Sequence, residues 1–111
     1  MNWLDRIKSA LQGQPEDMPE HAMLIDVRSP MEFQSGHVDG AFNLPLETVA
    51  ARIEQIVPDK STPIVMYCQA GGRSAMACSI LQQLGYNCVA NGGGVGGLAL
   101  RLQRDIRRGG S

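Results

Sequence analysis

The feature that most limits what this chain can fold into is an alternation of short apolar runs with helical stripes. Met23 to Val27, Ala41 to Leu44, Ile64 to Tyr67 and Tyr86 to Ala90 are runs of strand length with apolar residues at consecutive positions. A strand with one wet face shows polar residues at every second position, so consecutive apolar residues mean that both faces are covered. Between these runs, Leu46 to Val57 carries apolar residues at 46, 49, 50, 53, 56 and 57, a helical spacing closed by Pro58-Asp59. Arg73 to Leu84 reads as a helix stopped by Gly85, and Val95 to Arg107 as a C-terminal helix. Ser29 is placed to cap a short helix that starts at Pro30 and stops near Gly36. The stretch after Ala90 is rich in glycine and reads as a turn, and the segment around His37 as another. Strands alternating with helices predict an α/β fold: a single domain with a parallel four- to five-stranded sheet, helices on both faces and right-handed crossovers.

Trp3, Leu4, Ile7 and Leu11 predict a short amphipathic helix over residues 2–12, followed by a loop to His21 that carries prolines and acids. The expected organisation is therefore an N-terminal helix and loop (1–22), the α/β domain (23–108) and a loose tail (109–111). At 111 residues the chain suits one compact domain. The net charge of −1 gives no global reason to expect a nucleic-acid partner. No window approaches the ~20 apolar residues of a membrane span, and the N-terminus has no apolar run of signal-peptide length. Three cysteines, each ten residues from the next, make neither a disulfide framework nor a zinc pattern. Reduced thiols and a cytoplasmic location are the simplest expectation, with no metal or cofactor called for. Gly92, Gly94 and Gly97 match G-x-G-x-x-G in form, but a dinucleotide site also calls for a following strand and an acid about 20 residues on, so none is expected here.

In open parallel sheets, ligands sit beyond the carboxyl ends of the strands. Cys68 falls there, at the end of the 64–67 run, and opens the segment Cys68-Gln69-Ala70-Gly71-Gly72-Arg73-Ser74. A short, glycine-rich strand-to-helix loop can curl its N–H groups around an anion, and the helix start adds unpaired N–H groups and a positive dipole end. Ser74 is expected to cap that first turn. With Arg73 beside it, such a cysteine should be acidified and largely thiolate at neutral pH. Cysteine-dependent phosphatases place five residues between Cys and Arg around a phosphate. Only four intervene here, a ring that suits one extra sulfur better.

Three segments together resemble the rhodanese family: Leu24 to Phe33 followed by Gly36 to Pro45; Tyr67 to Ser74; and Val89 to Gly94. They span about residues 23 to 97, in the family's order and spacing. The resemblance is closest to the small single-domain rhodaneses of bacteria, phage-shock-type members included. Two departures stand out: the family's opening strand and helix are not evident, and Val95-Gly96-Gly97-Leu98 replaces the tryptophan often found after the glycine turn. The resemblance implies a sulfurtransferase that moves a sulfane sulfur from thiosulfate or a similar small anionic donor. A Cys68 persulfide would carry it to cyanide or to a thiol acceptor, a small thiol or a thioredoxin-like protein. It gives Gln69, Ala70, Gly71, Gly72, Arg73 and Ser74 to substrate binding, and lets Asp26, Arg28 and Glu32 brace the loop. The alternatives are a non-catalytic binding or redox-sensing module and, less favoured, a cysteine phosphatase or arsenate reductase. His37, Cys78 and Cys88 are read as structural.

Overall fold

Four parallel strands run side by side at the centre of the computed structural model, which describes residues 17–110. They are β1 (Met23–Asp26), β3 (Phe42–Asn43), β4 (Ile64–Cys68) and β5 (Val89–Gly94), in the order β3-β1-β4-β5. The expected helix over 2–12 lies outside the described residues. Alternate residues of β1 and β4 feed two apolar layers, as their consecutive apolar residues require. Ile25, Ile64 and Met66 face helices α2 (Val49–Ile56) and α3 (Gly72–Gln83), and pack with Ile53, Ala77 and Leu81. Leu24, Val65 and Tyr67 face the other way, against Leu98 and Ala99 of α4 (Val95–Leu102). The expected fold class therefore holds: parallel strands, with helices on both faces.

The short helix α1 (Pro30–Ser35) begins as its sequence predicts. Ser29 Oγ accepts from the Glu32 N–H, and a Glu32 carboxylate oxygen accepts from the Ser29 N–H, a reciprocal capping box that satisfies two otherwise unpaired donors. The 46–57 stripe divides into a 3₁₀ turn (Leu46–Thr48) and α2. Helix α3 stops next to Gly85, whose φ of +100° is one that side chains rarely adopt.

Three expectations need correction. The last central strand starts at Val89 rather than Tyr86, and the glycine-rich stretch is its second half, not a turn. Gly93 and Gly94 pair with Tyr67 and Cys68 after a register shift at Met66/Tyr67. Tyr86 instead anchors the preceding turn, its hydroxyl donating to the Val57 carbonyl at 2.5 Å. The final helix ends at Leu102 rather than Arg107, because Gln103 takes a left-handed conformation (φ 55°) and turns the chain back. Finally, His37 lies not in a turn but in a two-residue strand, β2 (His37–Val38), which pairs antiparallel with β6 (Ile106–Arg107). That pairing returns the C-terminal segment to α1, where the Gly109 N–H donates to the Gln34 carbonyl.

Asp26, Cys68 and Gly94 end three adjacent strands at one edge of the sheet. The backbone there is tight: a Cβ on Gly94 would lie 2.5 Å from the Gln69 carbonyl oxygen, whereas one on Gly72 would meet nothing within 4 Å. Gly94→Ala should therefore lower the unfolding free energy by about 1–3 kcal/mol, while Gly72→Ala leaves it unchanged or raises it by up to about 1 kcal/mol. Thermal melts of the two variants check this; equal stabilities would refute the close approach.

Candidate active site around Cys68

Cys68 is the last residue of β4, and its sulfur turns into the loop that follows. The residue is 1% exposed. Burial alone would push the thiol pKa up, but the hydroxyl of Ser74 and the N–H groups of Ser74, Ala70 and Gly71 act against it, and the net result is a lowered pKa. The nearest donor is the Gly71 N–H, 2.9 Å from Sγ; Ser74 Oγ lies at 3.5 Å. The expected concave ring of amides is thus present in part, with its closest point at Gly71.

The route into α3 explains this geometry. Gly71 is the N-cap, with φ +100° and ψ −14°. Only glycine takes that conformation freely, and it lets the chain turn into the helix while the Gly71 N–H points back at the sulfur. Ser74 does not cap the helix, contrary to expectation. It lies inside the first turn, where its hydroxyl is within reach of the Gly71 carbonyl (3.1 Å) and of Asn91 Oδ1 (2.7 Å).

Arg73 also departs from expectation. Its guanidinium makes a bidentate bridge to Glu32 at 2.7 and 2.9 Å rather than facing the sulfur. The hydrogen bond from Arg73, followed by that from the Ser29 N–H, holds the Glu32 carboxyl down at about 2. One glutamate therefore caps α1 and ties it to the start of α3. Glu32 is the main partner of the Arg73 guanidinium, and the charge of Cys68 acts on it only as a lesser one.

Asp26 and Arg28 form a buried pair, 0% and 3% exposed, with the Arg28 Nη2 2.7 Å from the carboxylate. Arg28 spends its remaining donors on the Gly36 carbonyl (2.6 Å) and on Gln69 Oε1 (3.2 Å), which links β1 to the second residue of the loop. The Asn43 amide donates to the carbonyls of Asp26 and Arg28, both at 3.0 Å, and fixes this turn from β3. Ala70 and Gly72 stand exposed on the outer side of the loop. The residues singled out by sequence are thus brought together around one loop.

Asn43 and Asn91 were not anticipated. Both are polar residues inside short strands, and that is the only sequence signal they carry. His37 is structural in its contacts: its ring stacks on Phe33 at 3.7 Å, and Nδ1 donates to the Phe33 carbonyl at 2.8 Å. Cys78 is buried in the α3 layer. Among the described residues, no helix is long and apolar enough to cross a membrane.

Comparison with known proteins agrees with this geometry. The model of the rhodanese-like domain family matches residues 6–98. The thiosulfate sulfurtransferase PspE of Escherichia coli strain K12 is 46% identical over 76 residues, which cover 68% of this chain and 73% of that protein. A sulfurtransferase of Allochromatium vinosum is 38% identical over 72 residues, 65% of each chain. Among solved structures, a rhodanese with anions from E. coli superposes with a TM-score of 0.72 at 41% identity, over 79% of this chain and 99% of that one. By the extent of the family match and by its fold, the chain belongs to the rhodanese-like domain family.

Proposed function

We propose that the protein is a sulfurtransferase of the thiosulfate type in which Cys68 carries the moving sulfur as a persulfide. The observation that carries this is a nearly buried thiol whose pKa is nonetheless lowered, because hydroxyl and N–H donors converge on it. The kinship with proteins named thiosulfate sulfurtransferase and sulfurtransferase supports the same chemistry.

The Cys68 thiolate attacks the outer sulfur of the donor and a new S–S bond forms. The donor's own S–S bond breaks, and its electron pair leaves with sulfite. The persulfide keeps one negative charge on its outer sulfur, which the amides of Ala70, Gly71 and Ser74 are placed to stabilise. A thiolate acceptor, from a small thiol or a thioredoxin-like protein, then attacks that outer sulfur and releases the Cys68 thiolate. No general base is required, because the nucleophile is already ionised. Residues 69–74 form the wall that receives the donor, and the small, exposed Ala70 and Gly72 leave its mouth open. Asp26 and Arg28 hold that wall through Gln69; Glu32 holds it through Arg73. We take residues 23–108 as the functional unit, an extent supported by the pairing of Ile106–Arg107 with β2. We also place the protein in the cytoplasm, where its three free thiols would stay reduced.

Intact mass measurement after thiosulfate treatment should show one added sulfur, mapped to the Cys68 peptide and removed by cyanide. Cys68→Ser should lack the adduct and lose cyanide-coupled turnover by about three orders of magnitude or more. Turnover that survives in Cys68→Ser would overturn the assignment. The alkylation rate of Cys68 should rise with pH to a midpoint below the ~8.5 of an ordinary cysteine. The sign follows from the lowered pKa: thiolate, and so reactivity, persists to lower pH. A midpoint at or above the ordinary value would contradict the proposed activation.

A further inference from the structure

Asn91 lies inside β5, 8% exposed and flanked by Ala90 and Gly92, where an apolar side chain would meet no polar cost. The orientation of its carboxamide is settled by two backbone groups that have no choice of role. The Gly93 N–H can only donate and is 2.9 Å from Oδ1; the Gly71 carbonyl can only accept and is 3.0 Å from Nδ2. With the amide fixed, Oδ1 faces the Ser74 hydroxyl at 2.7 Å. One side chain from β5 therefore grips two residues of the Cys68 loop.

Those two residues are the ones nearest the sulfur: the Gly71 N–H donates to it at 2.9 Å, while Ser74 Oγ lies 3.5 Å away with its single proton given to Asn91 Oδ1. Holding the Gly71 carbonyl keeps this glycine in its left-handed conformation, which lets the chain enter the helix while its N–H stays on the sulfur. Holding the Ser74 oxygen keeps it beside Sγ. Arg28 grips the loop from β1 through Gln69, whereas Asn91 grips it from β5, on the opposite flank of β4.

Building on the sulfurtransferase reading, we infer that Asn91 is a positioning residue of the Cys68 site, fixing Gly71 so that its N–H is in place before the sulfur becomes an anion. It acts on the sulfur of Cys68 through the loop.

The test uses the full chain with Asn91→Ala, Ser74→Ala and the double variant. The pH dependence of iodoacetamide alkylation at Cys68 is resolved by peptide mass mapping, beside thermal melts and sulfur uptake from thiosulfate. Added to Ser74→Ala, where only the hold on Gly71 is left to lose, Asn91→Ala should move the alkylation midpoint to higher pH and slow alkylation at neutral pH by about tenfold, the equivalent of one pH unit. Asn91→Ala alone should move it in the same direction by less, because it also frees the Ser74 proton for the sulfur. A folded Asn91→Ala or double variant whose midpoint matches that of its parent would overturn the inference. Should Asn91→Ala fail to fold, Asn91→Ser, which keeps a polar group but not the amide pair, must show the same displacement; an unmoved midpoint there overturns it equally. Wild-type protein that takes up no sulfur would sink the functional reading alone, since alkylation reports on the loop independently. Sulfur uptake with an unmoved Asn91→Ala midpoint would sink only the positioning role.

Discussion

A sulfur atom taken almost wholly out of water must be neutral unless the protein replaces the solvent's hydrogen bonds, and here the Gly71 N–H and its neighbours provide that replacement. Much of the architecture near the carboxyl ends of the strands follows from this requirement. The loop must be short, so that its amides face inward. It must pass through a left-handed residue, so that the helix can start while the preceding N–H points back. It must also lie close against β5, which only a glycine at position 94 permits.

Such a loop would be loose if only its two ends held it. It is instead tied from three sides: to β1 through Arg28 and Gln69, to α1 through Arg73 and Glu32, and to β5 through Asn91. The buried Asp26–Arg28 pair is not an argument for stability in itself, because desolvating two charges offsets most of their attraction. Its value is geometric. With the guanidinium saturated by Asp26 and the Gly36 carbonyl, the donor left for Gln69 has one direction to point. At the rim the Glu32–Arg73 bridge works in the same geometric way, fixing the start of α3 against α1.

The central fold was legible because its signals are local. Consecutive apolar residues identified β1 and β4, Ser29 ahead of Pro30 marked the start of α1, and Gly85 marked the end of α3. The Cys68 loop was legible for the same reason: its nucleophile, its glycines and its helix start are contiguous. What was missed depends on distant partners. Glycine has low strand propensity, so Asn91 to Gly94 read as a turn, although pairing with β4 makes it a strand. Apolar spacing continued from Leu98 to Ile106, so one helix was expected where Gln103 breaks the chain and Ile106–Arg107 pairs with His37–Val38. Arg73 was expected to face an anion because a cation at a helix start is otherwise disfavoured; Glu32, 41 residues away in sequence, answers that need instead. The contacts of Asn43 with Asp26 and Arg28, and of Asn91 with Gly71, likewise span 15 to 20 residues, and no local pattern reveals them.

The central claim, that loop donors hold negative charge on a sulfur bound to Cys68, is tested most directly by an atomic-resolution crystal structure of the protein after thiosulfate treatment. The account predicts added density on Sγ for one sulfur atom, lying within hydrogen-bond distance of the N–H groups of the 69–74 loop, with the loop in the conformation described. A sulfur turned away from those amides, or an unmodified Cys68 with the added atom on Cys78 or Cys88, would contradict it.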